Sequence, residues 1–182
     1  MLASFPVNIS PILDIIVETN PKRILDIGSA FGKFGLLARE AIISTRAEGQ
    51  DLEPVDDLEI GCVEMAKYFQ NMPYHENLYN FHYHEDARTI EWKEMPKFDL
   101  VMLIDVVEHW EKEEAIKVIA DIKINTGAKI LISTPRETVM YDQAIYGKDC
   151  PTHKSQWTPT DFYRIRTMAE DKSTIASYIF VI

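Results

Sequence analysis

Arg23-Ile24-Leu25-Asp26-Ile27-Gly28-Ser29-Ala30-Phe31-Gly32-Lys33-Phe34-Gly35 decides the fold. The stretch opens as a short apolar strand that stops at Gly28. It turns through small residues and enters a helix from Gly32, where Phe34, Leu37, Ala38 and Ala41 fall at helical spacing. Glycine at such a junction lets the chain bend sharply and lets a ligand approach the main chain. A P-loop places four residues between its glycines and a hydroxyl after its lysine. Here Ser29, Ala30 and Phe31 intervene, and Lys33 is followed by Phe34. The dinucleotide fingerprint G-x-G-x-x-G is not kept either, because Ala30 stands between Gly28 and Gly32. Asp26, just ahead of the turn, is unfavourable beside a pyrophosphate and favourable beside a cation.

Working outward, Ser10-Pro11 reads as a cap and first turn of an N-terminal helix carrying Ile12, Ile15 and Ile16, ended by Asn20-Pro21. Leu58 to Glu64 is a second strand, followed by a helix start at Met65, and Asn80 to His84 suggests a third strand. Phe98 to Asp105 is a fourth strand, almost wholly apolar, as suits a strand covered on both faces. Glu111 to Lys123 is an amphipathic helix, Ala128 to Ser133 a fifth strand, and Thr158-Pro159-Thr160-Asp161 opens another helix. The chain ends in a strand over Ile175 to Ile182. Strands alternating with helices imply a parallel sheet with helices on both faces. The polar stretch Ser44 to Asp57 is expected to be a surface loop.

The chain's 182 residues suit one domain, 1–182, with 1–21 as a helical segment packed on it. Hydrophobic residues at 46% and aromatics at 10% belong to an ordered protein. With 29 acidic and 19 basic residues the formal net charge is -10, which disfavours phosphate-backbone binding and so a nucleic-acid partner. Cys62 and Cys150 cannot build a disulfide framework. No apolar run approaches a membrane span, and the start lacks the pattern of a signal peptide. A cytoplasmic protein is expected.

Asp26-Ile27-Gly28-Ser29-Ala30-Phe31-Gly32 resembles the first motif of class I S-adenosylmethionine-dependent methyltransferases, with Ala30 in place of the middle glycine. That cofactor carries an ammonium and a sulfonium, in keeping with Asp26. The resemblance implies that Gly28, Ser29, Ala30 and Gly32 support the methionine end, with Asp26 favouring its ammonium directly or through water. Glu64, followed by Met65, matches the acid that ends the second strand and holds the ribose. Asp86 with Ala87 matches the acid facing the adenine. Asp105 and Val106, in Asp105-Val106-Val107-Glu108-His109, resemble the fourth-strand motif that lines the sulfonium. His153-Lys154-Ser155-Gln156-Trp157 to Asp161-Phe162 is similar to a bacterial and phage subgroup whose acceptor is not established. The implied fold is a doubly wound α/β sheet of seven strands, mostly parallel, with the last antiparallel and the sixth reduced.

Methyl transfer asks a protein to align acceptor, methyl and sulfur, and to remove a proton. His153 and His109 are the candidate bases, both at the carboxyl edge of the sheet where ligands bind. His109 could instead pack against the helix that follows it. Asp105, Glu108 and His109 would share one face of a helical turn, and His153 could complete a metal shell. Small-RNA 3′-terminal 2′-O-methyltransferases hold a divalent ion in a related arrangement, but the pattern also occurs without metal, so none is expected. His75, His82 and His84 fit no standard ligand spacing and are taken as incidental. Trp110 and Trp157 are either packing residues or a stacking wall for substrate.

The expected activity is transfer of a methyl group to an oxygen or nitrogen of a small-molecule or glycan-like acceptor, releasing S-adenosylhomocysteine, by a monomer or homodimer. The rivals are a cofactor-binding module without turnover and a nicotinamide-dependent oxidoreductase, with RNA methylation disfavoured by charge.

Overall fold

The computed structural model describes residues 6–47, 57–71, 75–137, 152–165 and 170–182. Strands β1 (Arg23–Ile27), β2 (Glu59–Val63), β3 (Phe81–Tyr83), β4 (Leu100–Ile104) and β5 (Lys129–Pro135) are mutually parallel. Strand β6 is reduced to Glu170–Asp171, and β7 (Ser177–Val181) runs antiparallel to both β5 and β6. The order is β3-β2-β1-β4-β5-β7-β6, six strands and a remnant of 2 residues. Chain order reverses between β1 and β4, which makes their carboxyl ends the natural binding crevice.

Helices close both faces. On one, α1 (Ile9–Thr19) and α2 (Lys33–Ala47) bury Ile12, Ile15, Ile16, Phe34, Ala38 and Ile42 against Ile24, Ile60, Leu100 and Met102. Two short helices, α3 (Lys67–Gln70) and α4 (His75–Leu78), follow β2. On the other face α5 (Lys112–Thr126) and α6 (Pro159–Ile165) cover Leu25, Val101 and Leu103. Every residue of β4 is buried, as its apolar run implies.

Element ends depart from the sequence pattern where tertiary contacts intervene. Helix α1 starts at Ile9 rather than after a Ser10 cap. Asn8 makes no cap, because its side chain is buried and bonds instead to Ser177 and Thr174 at 2.8 and 2.7 Å. Helix α2 runs on to Ala47, through the start of the expected loop, and residues 48–56 lie outside the described part. Arg46 holds that last turn by donating to Asn20, Pro21 and Asp57. The helix expected from Met65 begins at Lys67 and lasts one turn, and α4 carries no period long enough to announce it. Cys150 falls outside the described residues. Among those described, no helix is long and apolar enough to cross a membrane.

Candidate active site

The turn after β1 is built from residues in left-handed backbone: Gly28 at φ 69°, Ala30 at 46° and Gly32 at 73°. At Gly28 a side chain would be strained by φ, and a Cβ would lie 2.6 Å from Val106 Cγ2. That contact brings the turn against the end of β4. The Gly28 and Ala30 amides donate to the Val63 carbonyl and to Glu64 Oε2, each at 2.8 Å. Glu64 Oε1 accepts from the Ala66 amide at 2.7 Å. Glu64 therefore stands across the turn with its carboxylate aimed by two backbone donors, while Met65 beside it is exposed. Ser29 is buried within the turn.

Asp26 sits beneath this turn, 3% exposed. Tyr79 Oη donates to its Oδ2 at 2.6 Å, and the Gly35 amide donates to it as well. A Cβ at Gly35 would come within 2.5 Å of the Tyr79 ring, so this glycine clears the path of Tyr79 to Asp26. Burial, reinforced by the nearby Glu64, pushes the Asp26 carboxyl up to about 7 against these hydrogen bonds. Glu64 is also raised, chiefly by burial.

Asp105 follows β4 in left-handed backbone, φ 55°, and its carboxylate accepts from Ser133 Oγ at 3.3 Å. Asp105 also favours the charged form of Lys33, against a larger opposing effect of burial. Asp26, Glu64, Asp105 and Glu108 thus converge, all buried, on the ends of β1, β2 and β4. Burial opposes charging Asp26, Glu64 and Glu108, a cost that a nearby cation would relieve. Asp86 differs: Arg88 grips both its oxygens at 2.6–3.1 Å and lowers its pKa, so an adenine amino group would have to share that carboxylate. Ala87 beside it is buried, as is Val106.

The histidine edge is stitched together by backbone. Val107–His109 form one short 3-10 turn, and the Glu108 carbonyl accepts from the Lys154 and Ser155 amides at 2.7 and 3.1 Å. His109 and His153 stand edge to face, ring centroids 4.9 Å apart. Ligand atoms of Glu108, His109 and His153 lie within 4.8 Å of one another, without Asp105, so the short turn supplies two of the four residues considered together and the segment after residue 151 brings the third. Glu108 is 2% exposed, accepts from Thr134 Oγ1 at 3.2 Å, and has its carboxyl raised by burial and by Asp105. Burial lowers the His153 pKa and keeps the imidazole neutral.

Trp157 is packing rather than a substrate wall: it is 1% exposed and stacks on Phe162, which stacks on Phe180. Trp110 is buried in the same core. Tyr79, Ser133 and Thr134 carry no motif of their own, and their roles come from partners distant in sequence, whereas Arg88 acts on Asp86 two positions away. The histidines taken as incidental are not scattered: Cys62, His75 and His82 place ligand atoms within 4.8 Å of one another.

The model of a methyltransferase domain family matches residues 8–170. Among solved structures, magnesium protoporphyrin IX methyltransferase from Synechocystis PCC 6803 with bound S-adenosylmethionine superposes at TM-score 0.63 and 13% identity, over 96% of this chain and 77% of that one. A protein of Pyrococcus horikoshii OT3 gives 0.63 at 16%, over 99% and 92%. A S-adenosylmethionine-dependent methyltransferase from Archaeoglobus fulgidus gives 0.60 at 22%, over 90% and 67%. No curated protein matches. The chain belongs to the methyltransferase domain family, and its fold is that of the methyltransferase structures it superposes on.

Proposed function

We propose that this enzyme methylates an oxygen or nitrogen of a small-molecule or glycan-like acceptor, with His153 as the base and His109 beside it. The observation that carries the reading is the His109–His153 pair, 4.9 Å between centroids, held at the carboxyl end of β4 by the Glu108 carbonyl. When bound, S-adenosylmethionine supplies an electrophilic methyl on a sulfonium. The chain's own residues bind and orient. Gly28 to Gly32 take the methionine end, Glu64 the ribose, Asp86 and Ala87 the adenine, and Asp105 and Val106 border the sulfonium. Met65 flanks the nucleoside.

His153 is kept neutral by burial, so it can accept a proton near neutral pH. Its Nε2 is buried. The net charge of -10 supports an uncharged or cationic acceptor over a nucleic acid.

The test separates binding from transfer. Calorimetry with S-adenosylhomocysteine on the wild type and on His153→Ala is expected to give equal affinity. Turnover against a panel of hydroxyl and amine acceptors is expected to fall by roughly 10²–10⁴-fold in the variant. Cofactor binding with no product from any acceptor would instead identify a binding module, and nicotinamide binding would overturn the assignment. Lost cofactor affinity in His153→Ala would move that residue from catalysis to architecture.

A further inference from the structure

Cys62 and His82 are register partners on β2 and β3, so their side chains leave the sheet on one face, with Cys62 Sγ 3.4 Å from His82 Nδ1. His75, first residue of α4, closes over the same place and is 2% exposed. Its Nε2 lies 2.8 Å from the Ala30 carbonyl oxygen. A carbonyl only accepts, so Nε2 carries the hydrogen and Nδ1 is the basic nitrogen. We propose that Cys62, His75 and His82 form a site for a borderline-soft divalent transition ion of the zinc class, set behind the cofactor turn.

Several independent features agree. One ligand atom from each residue falls within 4.8 Å of the other two. The spacing of 3.4 Å between Cys62 Sγ and His82 Nδ1 is close to the edge of a tetrahedron drawn with ordinary zinc–sulfur and zinc–nitrogen bonds. One thiolate and two imidazoles select zinc or cobalt over magnesium or calcium. An imidazole that binds a metal usually donates its other N–H to a carboxylate or backbone carbonyl, as His75 does to Ala30.

Binding needs no redox partner. The Cys62 S–H bond breaks, its proton leaves to solvent, and the sulfur electron pair forms the metal–sulfur bond. Three protein donors leave one tetrahedral position for water. Because the His75 imidazole spans from this site to the Ala30 carbonyl, an ion here would fix the turn and tighten cofactor binding. By linkage, cofactor would tighten the metal equally.

Cobalt(II) chloride titrated into the metal-free, reduced protein provides the probe. The expected result is stoichiometric binding with a thiolate-to-cobalt charge-transfer absorption. Cys62→Ser should abolish that band, whereas His109→Asn should keep it, because the Glu108–His109–His153 group offers no thiolate. His82→Asn, on a half-buried position, guards against misfolding of the Cys62 variant and should weaken cobalt by more than about tenfold, since losing even an outer-shell partner of a metal ligand costs about that much. A saturated sample should bind S-adenosylhomocysteine several-fold more tightly than a metal-free one. No charge-transfer band, or one that survives Cys62→Ser, overturns the metal site. If S-adenosylhomocysteine still binds in that case, the transferase assignment is untouched. A band without any change in cofactor affinity overturns the link to the turn.

Discussion

In the proposed site, burial and a cofactor ammonium act on Asp26 in opposite directions. Burial and Glu64 raise its carboxyl from 3.8 to about 7, so the unliganded protein favours the neutral acid. An ammonium nearby, directly or across water, favours the carboxylate. Affinity for S-adenosylhomocysteine should therefore rise with pH through about 7 and level off above it. In Asp26→Asn, calorimetry should find weaker binding and no such slope. A slope that persists in the variant would mean that another group titrates. The place of Asp26 ahead of Gly28 was legible in the sequence, since spacing along one strand and its turn is local. Its regulation by Tyr79 was not, because that hydrogen bond joins residues 53 positions apart and needs the cleared path at Gly35. Asp86 shows the same limit in reverse: its motif is local, but no spacing rule reveals that Arg88 takes up its oxygens.

At the scale of elements, periodicity reported interiors and missed ends. In α2 Phe34 and Ala38 are buried as their spacing implies, while Leu37 and Ala41 are only part-buried and Ile42 is buried instead; α5 buries Ala115, Val118, Ile119 and Ile122. The start of α1 was misplaced because Asn8 serves β7 and its preceding turn instead of capping. The segment 152–165 was equally ambiguous in sequence, since its tryptophan and polar residues suit either a lid or a core. The structure separates the two jobs. Lys154 and Ser155 fasten to the Glu108 carbonyl, and Trp157 and Phe162 extend the core toward Phe180. Ser155 links them, accepting from Trp157 Nε1 at 2.9 Å. Trp157→Ala should consequently lower unfolding free energy by roughly 3–5 kcal/mol in urea, the usual cost for a buried aromatic. At a temperature where the variant is still folded, its KM for acceptor should be unchanged. A large KM effect with little loss of stability would return Trp157 to the substrate.

Across the whole molecule, stability and function pull the buried acids in different directions. Asp26, Glu64 and Glu108 all have raised pKa values, and burial is the largest cause in each. For such groups the stability they lend is complete below their ordinary values and is lost as pH rises through the folded ones. Asp86 and Asp161 are lowered by Arg88 and by Thr158 and Lys112, so their contribution is lost only when pH falls below the ordinary carboxylate range. His75 and His153, lowered by burial, lend stability that is lost as pH falls through their folded values and is fully restored above about 6.5, their ordinary value. Between about pH 6.5 and 8.5 the raised acids are therefore left to decide the slope, and stability should fall by roughly 1–3 kcal/mol in urea unfolding. Glu108→Gln, which can still accept from Thr134, should flatten part of the decline. Saturating S-adenosylmethionine should oppose it further, because a bound cation stabilises the carboxylates that the empty fold disfavours. Stability that rises over this interval, or a decline indifferent to both the substitution and the cofactor, would mean that these acids are not held against their charge by the fold.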